Sequence, residues 1–276
     1  MTKLTADATA EESFARPLQL ARGWRELAGA EIERLDIGMS GAAVFRVTDG
    51  GAPDRYLKIA QNKSAAALRG EIERMHWLAA RGIRVPKILR IDDRPEQVIL
   101  LTQAVPGIPA DADADAANAL PLLRLIDALA KGIAALHALP AADCPFDETV
   151  SARLSRAADA VAAGEVDPRN FAERNRNTGP EALLARLAAA PPVEDIVVVH
   201  GDATLSNILV DADGTIGFVD CGNAGRGDRY LDLSVLHADI DGRYGSKAAA
   251  RFAQSYRPGL WDRRKADYFS DLYELF

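Results

Sequence analysis

Val197-Val198-Val199 is an apolar run that breaks at once on His200-Gly201-Asp202. Asn207 follows five residues after Asp202, and a second short run, Ile216-Gly217-Phe218-Val219, ends on Asp220. Strand, turn, strand, turn is the hairpin pattern, so the chain is expected to return its second carboxylate to the neighbourhood of its amide. Phosphoryl transfer from a metal nucleotide needs this set of groups: one carboxylate to accept the proton of an attacking hydroxyl, and an amide oxygen with a second carboxylate to hold the metal ions that bridge the phosphates. Asp202 is the expected general base, and Asn207 and Asp220 are the expected Mg²⁺ ligands. Each has an ordinary alternative when taken alone: a turn cap for Asp202, a local side-chain bond for Asn207, a turn residue before Gly222 for Asp220. The spacing of all three favours chemistry.

A second group lies near the start of the chain. Lys58 interrupts the apolar run Tyr56-Leu57-Lys58-Ile59. If it points inward it needs a carboxylate, because a buried unpaired ammonium is costly. Glu71, on the helix that follows, can supply one and leave Lys58 on the nucleotide's α- and β-phosphates. If it points outward, both residues are simply solvated. Glu73 is the rival partner. Before this strand, Gly38-Met39-Ser40-Gly41-Ala42-Ala43-Val44 joins two strands with small residues, which let backbone N–H groups approach an anion. Ser40, Gly41 and Ala42 are the candidates there.

The rest of the chain organises around these two groups. Strands are expected at 32–37, 43–47 and 55–59, a helix capped by Ser64 from there to about Arg81, and strands again at 86–91 and 97–102. An opening helix is expected around 18–27. After Val105-Pro106-Gly107 helical periodicity takes over: Leu122, Leu125, Ile126, Leu129, Ile133 and Leu136 form one stripe. Helices are also expected at about 230–240, from Ser246, and from Asp262 onward. The pattern predicts an α+β fold of two lobes, a small antiparallel-sheet lobe over 1–103 for the nucleotide and a larger, mainly helical lobe over 104–276 for catalysis and substrate.

Charge and cysteine usage bound the partners. Of 276 residues, 33 are Lys or Arg and 40 are Asp or Glu, a net charge of −7. That disfavours nucleic acid and anionic membranes and favours cationic small molecules. Two separated cysteines, Cys144 and Cys221, make neither a disulfide framework nor a zinc site. The polar start carries no signal-peptide pattern, and no apolar run is long enough to span a bilayer. A cytoplasmic protein, a monomer or weak dimer, is expected. His200 is expected to pack and hydrogen-bond rather than move protons.

Taken together, His200-Gly201-Asp202-x4-Asn207, Phe218-Val219-Asp220-Cys221-Gly222 and Asp228-Arg229-Tyr230-x-Asp232-Leu233 resemble the aminoglycoside 3′-phosphotransferases (kanamycin kinases). Gly38-x-Ser40-x-Ala42-x-Val44, Lys58, Glu71, Trp77-Leu78, Val85-Pro86 and Tyr273-Glu274-Leu275-Phe276 extend the resemblance over most of the chain. It implies a protein-kinase-like fold and transfer of the γ-phosphoryl group of MgATP, or of GTP, to an aminoglycoside hydroxyl. It further implies adenine recognition by the backbone at Thr102 and Ala104, and a cationic drug held by Glu274 and by the carboxylate of Phe276. The drug-gripping loop of the family maps onto 165–176, with Asn170 standing where the family has Asp, Glu173 as an acid, and three arginines against three acids. The family's Arg after Cys-Gly is Asn223, and Arg226 is the nearby substitute. Two other readings follow from the same residues: a kinase of another small hydroxylated or aminated metabolite, and a nucleotide-binding module without turnover.

Overall fold

A computed structural model describes residues 14–35, 41–51, 53–113 and 119–276. The described residues divide into two compact units, one within Met1–Ala79 and Val85–Val105, the other within Ala80–Arg84 and Pro106–Phe276. The expected lobe boundary at 103/104 misses the short return of Ala80–Arg84 to the second unit. Two contacts hold that segment there: Phe218 N–H donates to the Arg84 carbonyl at 2.8 Å, and the Arg84 guanidinium pairs with Asp211.

The first unit is built on a five-stranded antiparallel sheet of β1 (Glu31–Leu35), β2 (Ala43–Thr48), β3 (Arg55–Gln61), β4 (Lys87–Arg94) and β5 (Gln97–Gln103), in the order β1-β2-β3-β5-β4. The side-chain period of two splits its residues cleanly. Phe45, Val47, Leu57, Ile59, Ile99 and Leu101 bury one face against Ala21 of α1 (14–22) and against Trp24 and Leu27. The other face carries Val44, Lys58 and Leu100, which sit side by side in register. Helix α2 (Lys63–Ala79) packs against β3 and β5, with Leu68, Ile72, Met75 and Leu78 buried at helical spacing. Each of these contributes roughly 1.5–3 kcal/mol of burial. The helix starts at Lys63, so Ser64 lies inside its first turn instead of capping it. The Ser64 hydroxyl donates to the Gln61 carbonyl at 2.8 Å.

In the second unit, α3 (Leu122–His137) buries Leu125, Ile126, Leu129, Ile133 and Leu136 of the anticipated stripe, all at or below 9 % exposure, while Leu122, in the first turn, stays exposed. Two helices absent from the sequence expectations follow, α4 (Val150–Ala163) and α5 (Pro180–Ala189). Thr149 caps the first through Ala152 N–H, and Gly164 ends it in the left-handed region. Two small antiparallel sheets come next: β6 (Ile108–Pro109) with β8 (Ile208–Val210) and β9 (Ile216–Phe218), and β7 (Ile196–Val199) with β10 (Gly225–Asp228). Helix α6 (Tyr230–Tyr244), buried throughout Tyr230–Leu236, packs on α7 (Ser246–Tyr256) and α8 (Arg263–Tyr273). Among the described residues no helix is long and apolar enough to cross a membrane.

Candidate active site

Strand β7 delivers the chain to His200 buried. The backbone N–H groups of His200 and Gly201 then donate to the two oxygens of Asp232, at 2.8 and 2.7 Å. Asp232 is a 0 % exposed residue of α6. His137 Nε2 lies 3.0 Å from the same carboxylate, and His137 Nδ1 lies 2.8 Å from the Tyr256 hydroxyl. Burial by itself would raise the Asp232 pKa. The hydrogen bond and charge of His137, with the His200 bond, outweigh it and hold the carboxyl below its usual range. A buried anion therefore pins the turn that carries Asp202. His200 itself stacks on Phe218, and its Nε2 lies 2.9 Å from the Val219 carbonyl, a packing role.

Gly201 is required for two reasons. Its φ is +77°, and a Cβ there would come within 2.2 Å of the Asn223 carbonyl oxygen and 2.5 Å of an Arg153 guanidinium nitrogen. Arg153, 2 % exposed, donates to the Gly201 carbonyl at 2.8 Å and lies 2.9 Å from the Glu148 carboxylate. Arg226 is the expected stand-in for the family's arginine after Cys-Gly, where this chain has Asn223. It is an exposed residue of β10 paired with Asp147 at 3.2 Å.

Past Asp202 the chain makes one 3-10 turn, Leu205–Asn207, whose Leu205 N–H donates to Asp239 at 3.0 Å. That turn brings the Asn207 amide nitrogen to 2.9 Å from Asp202 Oδ2 and 3.0 Å from the Asp202 carbonyl. With its nitrogen on Asp202, the amide directs its oxygen the other way. The hairpin β8–β9 then returns, and Val219 N–H donates to the Asn207 carbonyl at 3.0 Å, which sets Asp220 next in line. Asp220 sits at φ 54°, ψ 52°, a left-handed conformation that few residue types besides Gly, Asn and Asp adopt readily. Strain of this kind gathers at functional positions.

Among the described residues no group of three or more His, Cys, Asp and Glu side chains is arranged to hold a metal ion. The donor set of Asn207 and Asp220 nevertheless suits Mg²⁺, which is typically held by one or two carboxylates, water and substrate phosphates.

In the first unit, the Lys58 ammonium lies 2.8 Å from Glu71 Oε1, and both side chains are mostly buried. The inward orientation follows from the pleat, since Leu57 and Ile59 take the α1 face and Lys58 must take the α2 face; the choice of partner follows from the helix, which turns Glu71 toward the sheet and leaves Glu73 exposed. Ser40 lies outside the described residues. Gly41 has φ +69°, and the Ser64 hydroxyl lies 3.3 Å from its carbonyl oxygen. Ala42 leads directly into β2. Thr102 is buried, paired across the sheet with Tyr56 and Ile88. The Ala104 N–H is taken up by the Asp54 carbonyl at 2.8 Å, so it is not a free donor.

The residues expected on the substrate side are differently arranged. Glu274, just past α8, accepts from the Asn175 side chain at 3.0 Å. Asp271 lies 2.8 Å from both Arg186 and the Asn175 amide, and Arg174 pairs with it as well. Asn170 and Glu173 are exposed, and Glu173 pairs with Arg176. The Phe276 ring lies over Arg153, 5.2 Å from ring centre to guanidinium. Tyr273, which the sequence left without a role, donates its hydroxyl to Asp202 Oδ1 at 2.8 Å.

Comparison with known proteins places this arrangement. The model of the phosphotransferase enzyme family, APH, matches residues 31–269. An aminoglycoside 3′-phosphotransferase of Streptomyces fradiae is 35% identical over 252 residues, 87% of this chain and 92% of that protein. The crystal structure of an aminoglycoside-3′-phosphotransferase of type VIII superimposes with a TM-score of 0.83 at 33% identity, covering 94% of this chain and 97% of the other. An aminoglycoside phosphotransferase of the 3″ type from Streptomyces rimosus, in complex with ADP and streptomycin, superimposes with a TM-score of 0.77 at 35% identity, covering 95% and 98%.

Proposed function

The chain belongs to the APH phosphotransferase enzyme family, and from that premise we propose that it transfers the γ-phosphoryl group of ATP to the 3′-hydroxyl of an aminoglycoside. The observation that carries this reading is the Asp202–Asn207 pair, 2.9 Å apart, with Val219, the residue before Asp220, bonded to the Asn207 carbonyl by the hairpin. It is supported by 35% identity to an aminoglycoside 3′-phosphotransferase along most of both chains.

Each group has one task. Asn207 fixes Asp202 Oδ2 and thereby orients the carboxylate. The carboxylate accepts the proton of the acceptor hydroxyl as its oxygen attacks phosphorus. Lys58, held by Glu71, binds the α- and β-phosphates. Asn207 and Asp220 are the residues that would hold Mg²⁺, which when bound neutralises charge on the phosphate oxygens. Glu274, Phe276, Asn170 and Glu173 are proposed to line the drug. The small turn at Ser40, Gly41 and Ala42 would meet the phosphates. Adenine recognition near Thr102 needs a donor other than the Ala104 N–H.

A second regiochemistry has specific support. The relative in complex with ADP and streptomycin is of the 3″ type, at the same 35% identity. ATP consumption measured with kanamycin, streptomycin, choline and a macrolide tests the reading. Turnover with kanamycin and a product phosphorylated at the 3′ position are expected. Turnover with streptomycin alone would move the site to 3″, and turnover only with choline or the macrolide would overturn the assignment. Lys58→Ala is expected to raise the KM for ATP at least ~10-fold by removing the phosphate-binding cation, with the KM for kanamycin little changed. Equal rises in both would argue that Lys58 acts through folding.

A further inference from the structure

The carboxylate assigned as general base has both oxygens engaged, and the two partners differ in kind. Asn207 belongs to the same loop as Asp202 and bonds its carbonyl as well as Oδ2, so it is fixed by local geometry. Tyr273 comes from the far end of the chain and bonds Oδ1 with a hydroxyl. A hydroxyl donating to Oδ1 at 2.8 Å occupies the position that an acceptor hydroxyl must take before it can lose its proton.

We propose that Tyr273 is a built-in stand-in for the acceptor: its hydroxyl holds the substrate's place on Asp202, and an aminoglycoside engages the base by displacing it. The inference rests on the reading of Asp202 as the base. The tail is built for such an exchange. Leu272 and Leu275, on either side of Tyr273, are both 0 % exposed and anchor the backbone, while Tyr273 itself is 38 % exposed. Rotation of one side chain therefore opens Oδ1 without unseating α8. Burial, and then the Asp202 charge, push the Tyr273 pKa up, so the phenol keeps the proton it donates.

Two consequences follow. Only the fraction of molecules with Tyr273 swung away is competent to bind the acceptor hydroxyl, so the stand-in raises the apparent KM for the acceptor. It also discriminates. Water brings a single hydroxyl and no other binding energy, and so competes poorly with a tethered phenol. A drug with many polar groups offsets the displacement through its remaining contacts. Tyr273 thereby suppresses transfer of the phosphoryl group to water, a reaction in which the γ-phosphorus–oxygen bond of ATP breaks, water supplies the new oxygen and its proton passes to Asp202.

Tyr273→Phe keeps the ring and removes the hydroxyl. With kanamycin and streptomycin as acceptors, the variant is expected to show an acceptor KM about five-fold lower than wild type, the equivalent of one modest hydrogen bond. ATP hydrolysis without any acceptor is expected to rise by a similar factor, and the KM for ATP to stay within about two-fold. A rise in acceptor KM would show that the hydroxyl binds substrate, and unchanged acceptor-free hydrolysis would show that it guards nothing; either result overturns the proposal. A purely structural bond would shift Tm and leave both kinetic readouts in place. The double variant Asp202→Asn, Tyr273→Phe separates the two layers. Loss of the hydrolysis gain confirms that it runs through the carboxylate. Undiminished phosphorylation and hydrolysis would refute Asp202 as the base, a failure distinct from that of the stand-in.

Discussion

Asp202→Ala is expected to abolish measurable phosphorylation of kanamycin while the protein stays folded and still binds nucleotide. A positioned general base contributes typically ~10²–10⁴-fold, and the substitution also removes the group that orients the attacking hydroxyl, so the loss should reach the upper part of that range. The fold should tolerate it for a specific reason. The Asn207 amide nitrogen donates to the Asp202 backbone carbonyl at 3.0 Å as well as to its carboxylate. The turn therefore keeps one of its two closures when the side chain is gone. Initial rates give the first half of the test, and titration with a fluorescent nucleotide gives the second. Turnover within ten-fold of wild type would remove Asp202 from the role of base.

The largest effect on stability is expected at Asp232. Its carboxylate is fully buried, and it accepts from two backbone N–H groups and lies 3.0 Å from the His137 ring nitrogen. Asp232→Ala leaves both N–H donors and the imidazole without their acceptor. Breaking a buried charged group of this kind costs ~3–5 kcal/mol, which for a protein of this size lowers Tm by about 10 °C. Asn at this position rescues little, because it offers one acceptor oxygen where two N–H groups converge and places its own NH₂ against a donor. The pH dependence has a definite sign. The folded carboxyl titrates below its unfolded value of about 3.9. Its contribution is thus complete above that value and is lost as pH falls through the depressed one. Wild type should therefore lose more stability than Asp232→Ala on acidification below about pH 4. A thermal melt of both proteins from pH 7 to pH 3 measures the difference, and equal Tm values at pH 7 would exclude Asp232 as the anchor of the loop.

The legible parts of this protein share one property. Strands β2, β3 and β5, the stripe on α3, and the Asp202–Asn207–Asp220 series are all encoded within short stretches, by side-chain period or by turn spacing. Lys58 was legible as a candidate, but its direction was not, because Tyr56-Leu57-Lys58-Ile59 reads the same with either face inward. The burial of Leu57 and Ile59 against α1 decided it. Helices α4 and α5 escaped notice because their apolar stripes are thin. Helix α4 even turns an arginine, Arg153, into the interior, where Glu148 and the Gly201 carbonyl meet its charge. That Glu274 accepts from Asn175, beside an Asp271 paired with Arg174 and Arg186, depends on how α8 packs and has no mark in the sequence around it.

The amino-acid order alone determined which chemical groups this chain possesses and how they are strung along its strands and turns, since backbone sterics, periodicity and glycine's freedom act over a few residues. Packing alone decided which distant side chains meet those groups: Asp232 beneath the His200–Gly201 backbone, Arg153 against the same turn, and the Tyr273 hydroxyl on Asp202. Such meetings depend on where whole helices come to rest, and that is set by which apolar faces meet and which charges pair away from water; local sequence marks a face as apolar but does not say what will cover it.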